Sequence, residues 1–517
     1  MMEVVIAVVV TVVGMWWWRR WRGQQKEVLP PSPVGGLPVI GHLHLLRPPV
    51  HRTLLELSSR LGVGGAPLMH LRLGSTHCVV ASSAEAASEL IRGHEASISE
   101  RPVTAVARQF AYGSSGFAFA PYDTHWRFMK RLCMSELLGP RTVEQLRPVR
   151  RAGTVSLVRD ALLASASSSS VDLTRHLIRL SNTAIIRMVA STVPGSVTDE
   201  AQDLVKEVAE LVGAFNAADY IAVCRGWDLQ GLGRRAADVH RRFDALLEDL
   251  ITHKQLARDA LVNTTTTMMQ GDKQHKDLLD ILLDKAEDDT AEVKLTRDNI
   301  KAFIIDVVTA GSDTSAAMVE WMLVELLNHP DALRKVQQEI DAVVGGDRIV
   351  SEADLPRLPY LQAAYKETLR LHPAAPIAHR QSSEQITLLG RGFTVPPQAA
   401  VFINVWAIGR DPAFWEDPEA FRPERFMPGG AAEALEPRGQ HFHFMPFGSG
   451  RRGCPGMGLA LQSVPAVLAA LVQCFHWKRD CQQEAIDMEE SDGLVCARKN
   501  PLLLRPVARL NPFPAVV

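Results

Sequence analysis

The longest helical pattern in this chain runs from Thr296 to about Asn328, where His329-Pro330 stops it. Roughly 33 residues at ~1.5 Å rise span ~50 Å, enough to cross the whole molecule. No coiled-coil heptad accompanies that length, so the pattern predicts a buried central helix. In its middle lies Ala310-Gly311-Ser312-Asp313-Thr314. Glycine inside a helix costs about 1 kcal/mol relative to alanine. An acid and a hydroxyl beside it, in an apolar stretch, need an explanation, and two stand open. Thr314 bonds back to a carbonyl one turn earlier and bends the helix, a common arrangement. Alternatively a groove widened beside Gly311 admits a small ligand, with Asp313 and Thr314 relaying protons.

A second stretch offers a single thiol inside a glycine-rich loop: Phe447-Gly448-Ser449-Gly450-Arg451-Arg452-Gly453-Cys454-Pro455-Gly456. Glycines before the cysteine, and Gly456 after it, predict positive φ and close approach of the backbone to a flat ligand. Residues from Met457 onward read as a helix, so Cys454 lies near a helix N-terminus that favours the thiolate. A buried free cysteine is the bland alternative. No C-x-x-C or histidine pair accompanies it, which excludes zinc locally. His441 and His443 likewise lack a third ligand at suitable spacing.

The spacing F-x-x-G-x-R-x-C-x-G resembles the haem-binding loop of the cytochrome P-450 haem-thiolate monooxygenases. Three further motifs fall in that family's order: Trp126-x-x-x-Lys130, Ala310-Gly311-x-Asp313-Thr314, and Glu367-x-x-Arg370 with Pro423-Glu424-Arg425-Phe426. The resemblance covers essentially the whole chain. It implies a mainly α fold with a small β region, in one large domain. It implies haem b with Cys454 as the axial iron ligand, alongside Phe447, Gly450 and Gly456. Trp126, Lys130, Arg380 and Arg452 are implied contacts to the haem propionates; a lysine at position 130 is a point charge where the family also uses a bidentate arginine. Glu367, Arg370 and Arg425 are implied to form a structural cluster with no catalytic role.

The 517 residues are 46% apolar, enough for a sizeable core, and Lys+Arg 56 against Asp+Glu 58 gives no sign of a nucleic-acid partner. Seven cysteines at irregular spacing argue against a disulfide framework. Residues 1–18 are almost wholly apolar, Trp16, Trp17, Trp18 and Trp21 read as an interfacial belt, and Arg19, Arg20 and Arg22 follow. That order predicts an uncleaved, single-pass signal anchor with the body on the cytosolic side of the endoplasmic reticulum, in preference to a cleaved signal peptide. Residues 19–41 then form a basic stop and a proline-rich, semi-rigid spacer, and residues 42–517 the catalytic body.

Along the body, Leu68 to Ala81 reads as a hairpin about Gly74-Ser75. Glu95 to Tyr122 reads as a long loop carrying Phe110, Phe117 and Phe119, each equally open to pocket or core. Arg127 and Arg131 face outward, to solvent or to an acidic redox partner. Residues 150–290 are amphipathic helices with polar breaks at Ser165–Ser170 and Thr264–Thr267, from which no chemistry can be read. After His372-Pro373 the prolines force extended backbone. By the resemblance Thr309, Ala310, Ala375, Ile377, Ala378 and His379 line the substrate pocket, with Leu494 and Val495 entering it from a hairpin tip. Read alone, His379 is more simply an ordinary, partly exposed histidine.

The resemblance implies a reaction that consumes O2 and takes electrons from a membrane-bound NADPH–haemoprotein reductase, since the chain carries no flavin or nicotinamide fingerprint. Pro121 to Gly139 resembles the plant subfamily of flavone synthases, flavanone 2-hydroxylases and isoflavone synthases. Thr309 and His379 differ from the serine and lysine typical of its aryl-migrating branch. The expected reaction is oxidation of a flavanone, a small phenolic substrate, at C-2. The alternatives are hydroxylation of an isoflavonoid, pterocarpan or other phenylpropanoid, a haem-thiolate dehydratase or isomerase, and a non-catalytic haem protein. The intact Asp313-Thr314 pair weighs against the last two.

Overall fold

The computed structural model describes residues 28–61, 65–191, 195–264, 276–290, 293–388, 390–479 and 485–515. The expected anchor of residues 1–18 and the basic stop after it lie outside these, as does Thr265–Thr267 of the second polar break.

The central helix is Arg297–Asn328. Thr296 and Asn299 cap its start reciprocally, each side chain accepting from the other's backbone N–H. Its C-terminal half is buried almost all round, from Ala316 to Leu326. Helices Leu173–Val189 and Met457–Cys474 pack along it, with Pro359–Leu371 against its later turns. Gly311 owes its place to this packing. A Cβ there would lie 2.9 Å from Cδ1 of Ile185 on the Leu173–Val189 helix. The Leu173–Val189 helix thus closes on the central helix at Gly311, and the central helix stays α-helical throughout.

The hairpin forms as expected, Leu68–Leu73 pairing antiparallel with Thr76–Ala81. Thr76–Ala81 then pairs parallel with Ala400–Asn404, which pairs antiparallel with Ile377–Gln381. The two-residue period sends Val79, Ala81, Val401 and Ile403 to one apolar cluster and Cys78, Val80, Ala400 and Phe402 to another. The proline-rich segment is no free spacer in its described part. Pro31 C=O accepts from His70 N–H at 2.9 Å, and Gly41 bridges to Leu73, so it lies along the first strand.

Two loop expectations change. Within Glu95–Tyr122, Thr104 caps a helix at Ala105–Phe110, a single turn and a half too short to show a period. Phe110 is buried in the core near His240, 6.4 Å ring to ring. The tip bearing Leu494 and Val495 forms no strands; a single Glu490–Arg498 bridge closes it, and it lies against Gly213 at the end of helix Gly195–Gly213.

Candidate active site

The cysteine loop is folded by its own backbone. Cys454 N–H donates to Phe447 C=O at 2.9 Å and Gly453 N–H to Gly450 C=O at 2.9 Å. Gly448 and Gly450 have φ of 70° and 67°, as the glycine pattern predicts. Gly453 and Gly456 do not; Gly456, with φ −79°, is the N-cap of helix Met457–Cys474. A Cβ there would sit 3.8 Å from the Cys454 sulfur, an ordinary contact, so space does not demand glycine at this position.

Cys454 is set deep in the fold, yet its thiol is open on one side. Burial pushes the thiol pKa up, against the Gly456 and Met457 N–H groups and the charges of Lys130 and Arg101. The N–H groups at the helix terminus favour the thiolate, as expected, and desolvation opposes them. A thiolate here needs a cation on its open side.

Helix Thr124–Leu132, capped by Asp123, brings Trp126 and Lys130 beside the loop. Lys130 Nζ donates to the carbonyls of Arg451 (2.6 Å) and Gly453 (2.8 Å) and lies 5.4 Å from the Trp126 ring centre. Trp126 Nε1 donates to Phe117 C=O at 2.9 Å. Arg452 stacks over Trp126 at 4.7 Å and donates to the carbonyls of Ser99, Phe117 and Ala120. Arg380, at the inner end of its strand, donates to Ser449 C=O at 2.8 Å. Arg127 and Arg131 are exposed, as expected.

Burial holds Lys130 down to about 8. Burial, with the mutual repulsion of Arg101, Arg380 and Arg452, holds Arg380 at about 9 and Arg452 at about 10. Arg101 was not singled out from the sequence, where a lone arginine in a loop carries no pattern. It is half-buried, close enough to Cys454 and Asp306 to feel their charges, and its Nε is buried with no partner. A flat ligand with two carboxylates would satisfy this set, because guanidinium forks match carboxylate geometry. The residues fit a haem.

The distal side is built by the central helix. Ala310 is exposed although Asp306 and Ser312 on either side are buried, so one face of the helix borders open space. Thr314 Oγ1 donates to Ala310 C=O at 2.7 Å, the back-bond considered for it from the sequence. Burial raises Asp313 to about 6, opposed by Lys206. Thr309 Oγ1 is buried without a partner. Asp306, also about 6 through burial, accepts from the N–H groups of Phe117 and Ala118 at 2.7 and 3.0 Å. It escaped the sequence reading although it is an acid in the same apolar run as Asp313. Through it Phe117 is set against Phe303, 5.3 Å between rings, and Phe119 is half-buried two residues on.

On the strand side Ala375 is exposed while Ile377, Ala378 and His379 are half-buried. His379 is no ordinary surface histidine. It stacks on Phe402 at 4.7 Å, and burial, with Arg101 nearby, lowers it to about 4, so it is neutral. Leu494 is exposed and Val495 half-buried at their tip. The structural cluster forms as expected: Arg370 grips Glu367 at 2.7 and 2.8 Å, Arg425 reaches Glu367 at 3.2 Å, and all three are buried.

A mainly helical body that seats one cysteine loop among buried arginines, with an acid–alcohol pair on its central helix, defines a haem-thiolate oxygenase. The family model "Cytochrome P450" matches residues 30–505, and the chain belongs to that family. It is 76% identical over 490 residues to Cytochrome P450 93G1 of Oryza sativa subsp. japonica, covering 95% of this chain and 92% of that one. It is 47% identical over 502 residues to 3,9-dihydroxypterocarpan 6A-monooxygenase of Glycine max, covering 96% of each. Flavonoid 3'-monooxygenase CYP75B137 of Crocosmia x crocosmiiflora is 39% identical over 505 residues, covering 95% of each. A zebra fish cytochrome P450 solved with progesterone shares the fold at TM-score 0.70 and 24% identity, covering 90% of this chain and 100% of that one. The chain is a haem-thiolate monooxygenase of the plant cytochrome P450 93 group, and its family draws electrons from NADPH through a reductase.

Proposed function

We propose that this enzyme oxidises a flavanone at C-2, giving the 2-hydroxyflavanone or the flavone. The observation that carries the reading is the exposure of Ala310 and Ala375 and the half-burial of Phe117, which would edge an apolar substrate space. Such a space suits a planar phenolic ligand whose one or two polar atoms fix its orientation. The names of the pterocarpan and flavonoid relatives support this class. The pterocarpan relative also favours a second reading, hydroxylation of an isoflavonoid or pterocarpan.

Cys454 would ligate the haem iron, and Arg101, Arg380, Arg452, Trp126 and Lys130 would hold its acidic edge. When bound, the thiolate-ligated haem activates dioxygen toward a C–H bond. Asp313, poised near neutral pH, would take protons from solvent and pass them inward, and Thr314 would hold the last donor hydroxyl in place. Residues 1–18 would anchor the body to the endoplasmic reticulum, facing the cytosol.

Product identification tests the substrate. Membranes carrying the enzyme, a plant NADPH–haemoprotein reductase and NADPH are given flavanones, isoflavones and pterocarpans. Conversion of flavanones alone to C-2-oxidised products supports the reading. Conversion confined to pterocarpans or isoflavones replaces it with the second, and turnover without NADPH removes both.

A further inference from the structure

A different face of the central helix borders a second cavity, of about 90 Å³, that the oxygenase site does not use. Gly311, Ser315 and Val319 line it, one residue around the helix from Ala310 and Thr314. Leu177 and Ile185 of helix Leu173–Val189 and Val464 and Val467 of helix Met457–Cys474 supply part of its apolar wall. Its other end is cationic. Arg147, Arg150 and Arg151 of helix Arg147–Ala166 stand there with two acids, Glu352 and the Glu144 that pairs with Arg147.

The arginines are not balanced. Arg150 is buried to 6% exposure and commits Nε and Nη2 to Glu352 at 2.7 and 2.6 Å, yet its Nη1 is buried with no partner. Arg147 pairs with Glu144 and reaches the Glu352 carboxylate at 3.6 Å, so the excess is the one charge of Arg151 at the exposed rim. A buried donor without an acceptor is a costly arrangement that a ligand oxygen would relieve. Excess positive charge at the mouth of an apolar hollow selects an anion with an apolar tail. Size bounds the tail: an apolar cavity of roughly 150 Å³ holds benzene, so this one suits a chain of a few carbons.

We propose that this cavity is a second small-molecule site, taking a short apolar monocarboxylate with its tail between the helices and its carboxylate on the Arg150–Arg151 edge. The site stands apart from the flavanone reading, and its test is separable from it. The haem-loaded enzyme is first saturated with a tight azole inhibitor, which blocks the oxygenase pocket. Hexanoate is then titrated by calorimetry, with hexanol as the uncharged control. Expected are one hexanoate site, weaker binding of hexanol, no binding to Val467→Trp, and an affinity reduced about threefold or more by Arg151→Glu. Arg151 is exposed, so its variant decides the matter if Val467→Trp fails to retain haem. Absence of hexanoate binding to the blocked wild type, or the same affinity in Arg151→Glu, overturns the proposal.

Discussion

Thr314 carries both readings that the sequence left open. Its hydroxyl donates to Ala310 C=O, so the helix accounts for its resting position. The same hydroxyl lies on the face of exposed Ala310, where a bound oxygen species would compete for it. Thr314→Ala should therefore keep haem and fold while product formed per NADPH falls severalfold; unchanged coupling removes Thr314 from the mechanism. Asp313 is a separate test. Burial places it near 6, so it exchanges protons close to working pH. Asp313→Asn should lower product formation roughly hundredfold and change its pH dependence near 6. Cys454, Arg452 and Glu367 were legible because each belongs to a fixed spacing. Arg101 was not, since its importance comes from burial beside Cys454, which no local pattern encodes.

Among the elements, the central helix and the first hairpin were the most legible. Length, a Thr cap and a His-Pro stop define the one, and alternation about Gly-Ser the other. Helix Ala105–Phe110 was hidden because six residues show no period. Gly311 shows how a glycine is read wrongly from one helix alone: its reason is Ile185 on another. Gly311→Leu should cost about 1–3 kcal/mol by forcing those helices apart, seen as an earlier denaturant midpoint. Glycine without that constraint would tolerate leucine or gain from it. The Glu367 cluster locks helix Pro359–Leu371 to the segment that follows Trp415. Glu367→Gln leaves Arg370, fully buried, short of its counter-charge and should cost about 3–5 kcal/mol. A melting temperature equal to wild type would show that the cluster does not hold these elements.

At the scale of the whole molecule, the acids of the central helix set a pH dependence of their own. Asp306 and Asp313 stand at about 6 when folded against 3.8 as model groups. The folded chain therefore binds protons more tightly than the unfolded one between those values. The stability these two contribute is fully present below pH ~3.8 and is lost as pH rises through 6. Wild type should gain on an Asp306→Asn/Asp313→Asn variant as pH falls from 7 to 5, read as the difference in Tm; a constant difference contradicts the shifts. The account as a whole rests on one sulfur meeting one iron, and the reduced carbon-monoxide difference spectrum reads that bond directly. The purified enzyme should place its Soret band at the thiolate position, and Cys454→Ala should lose it while Arg131→Ala, exposed on the same side, keeps it. A wild-type band at the position of a histidine-ligated haem, or a thiolate band surviving in Cys454→Ala, would contradict the assignment.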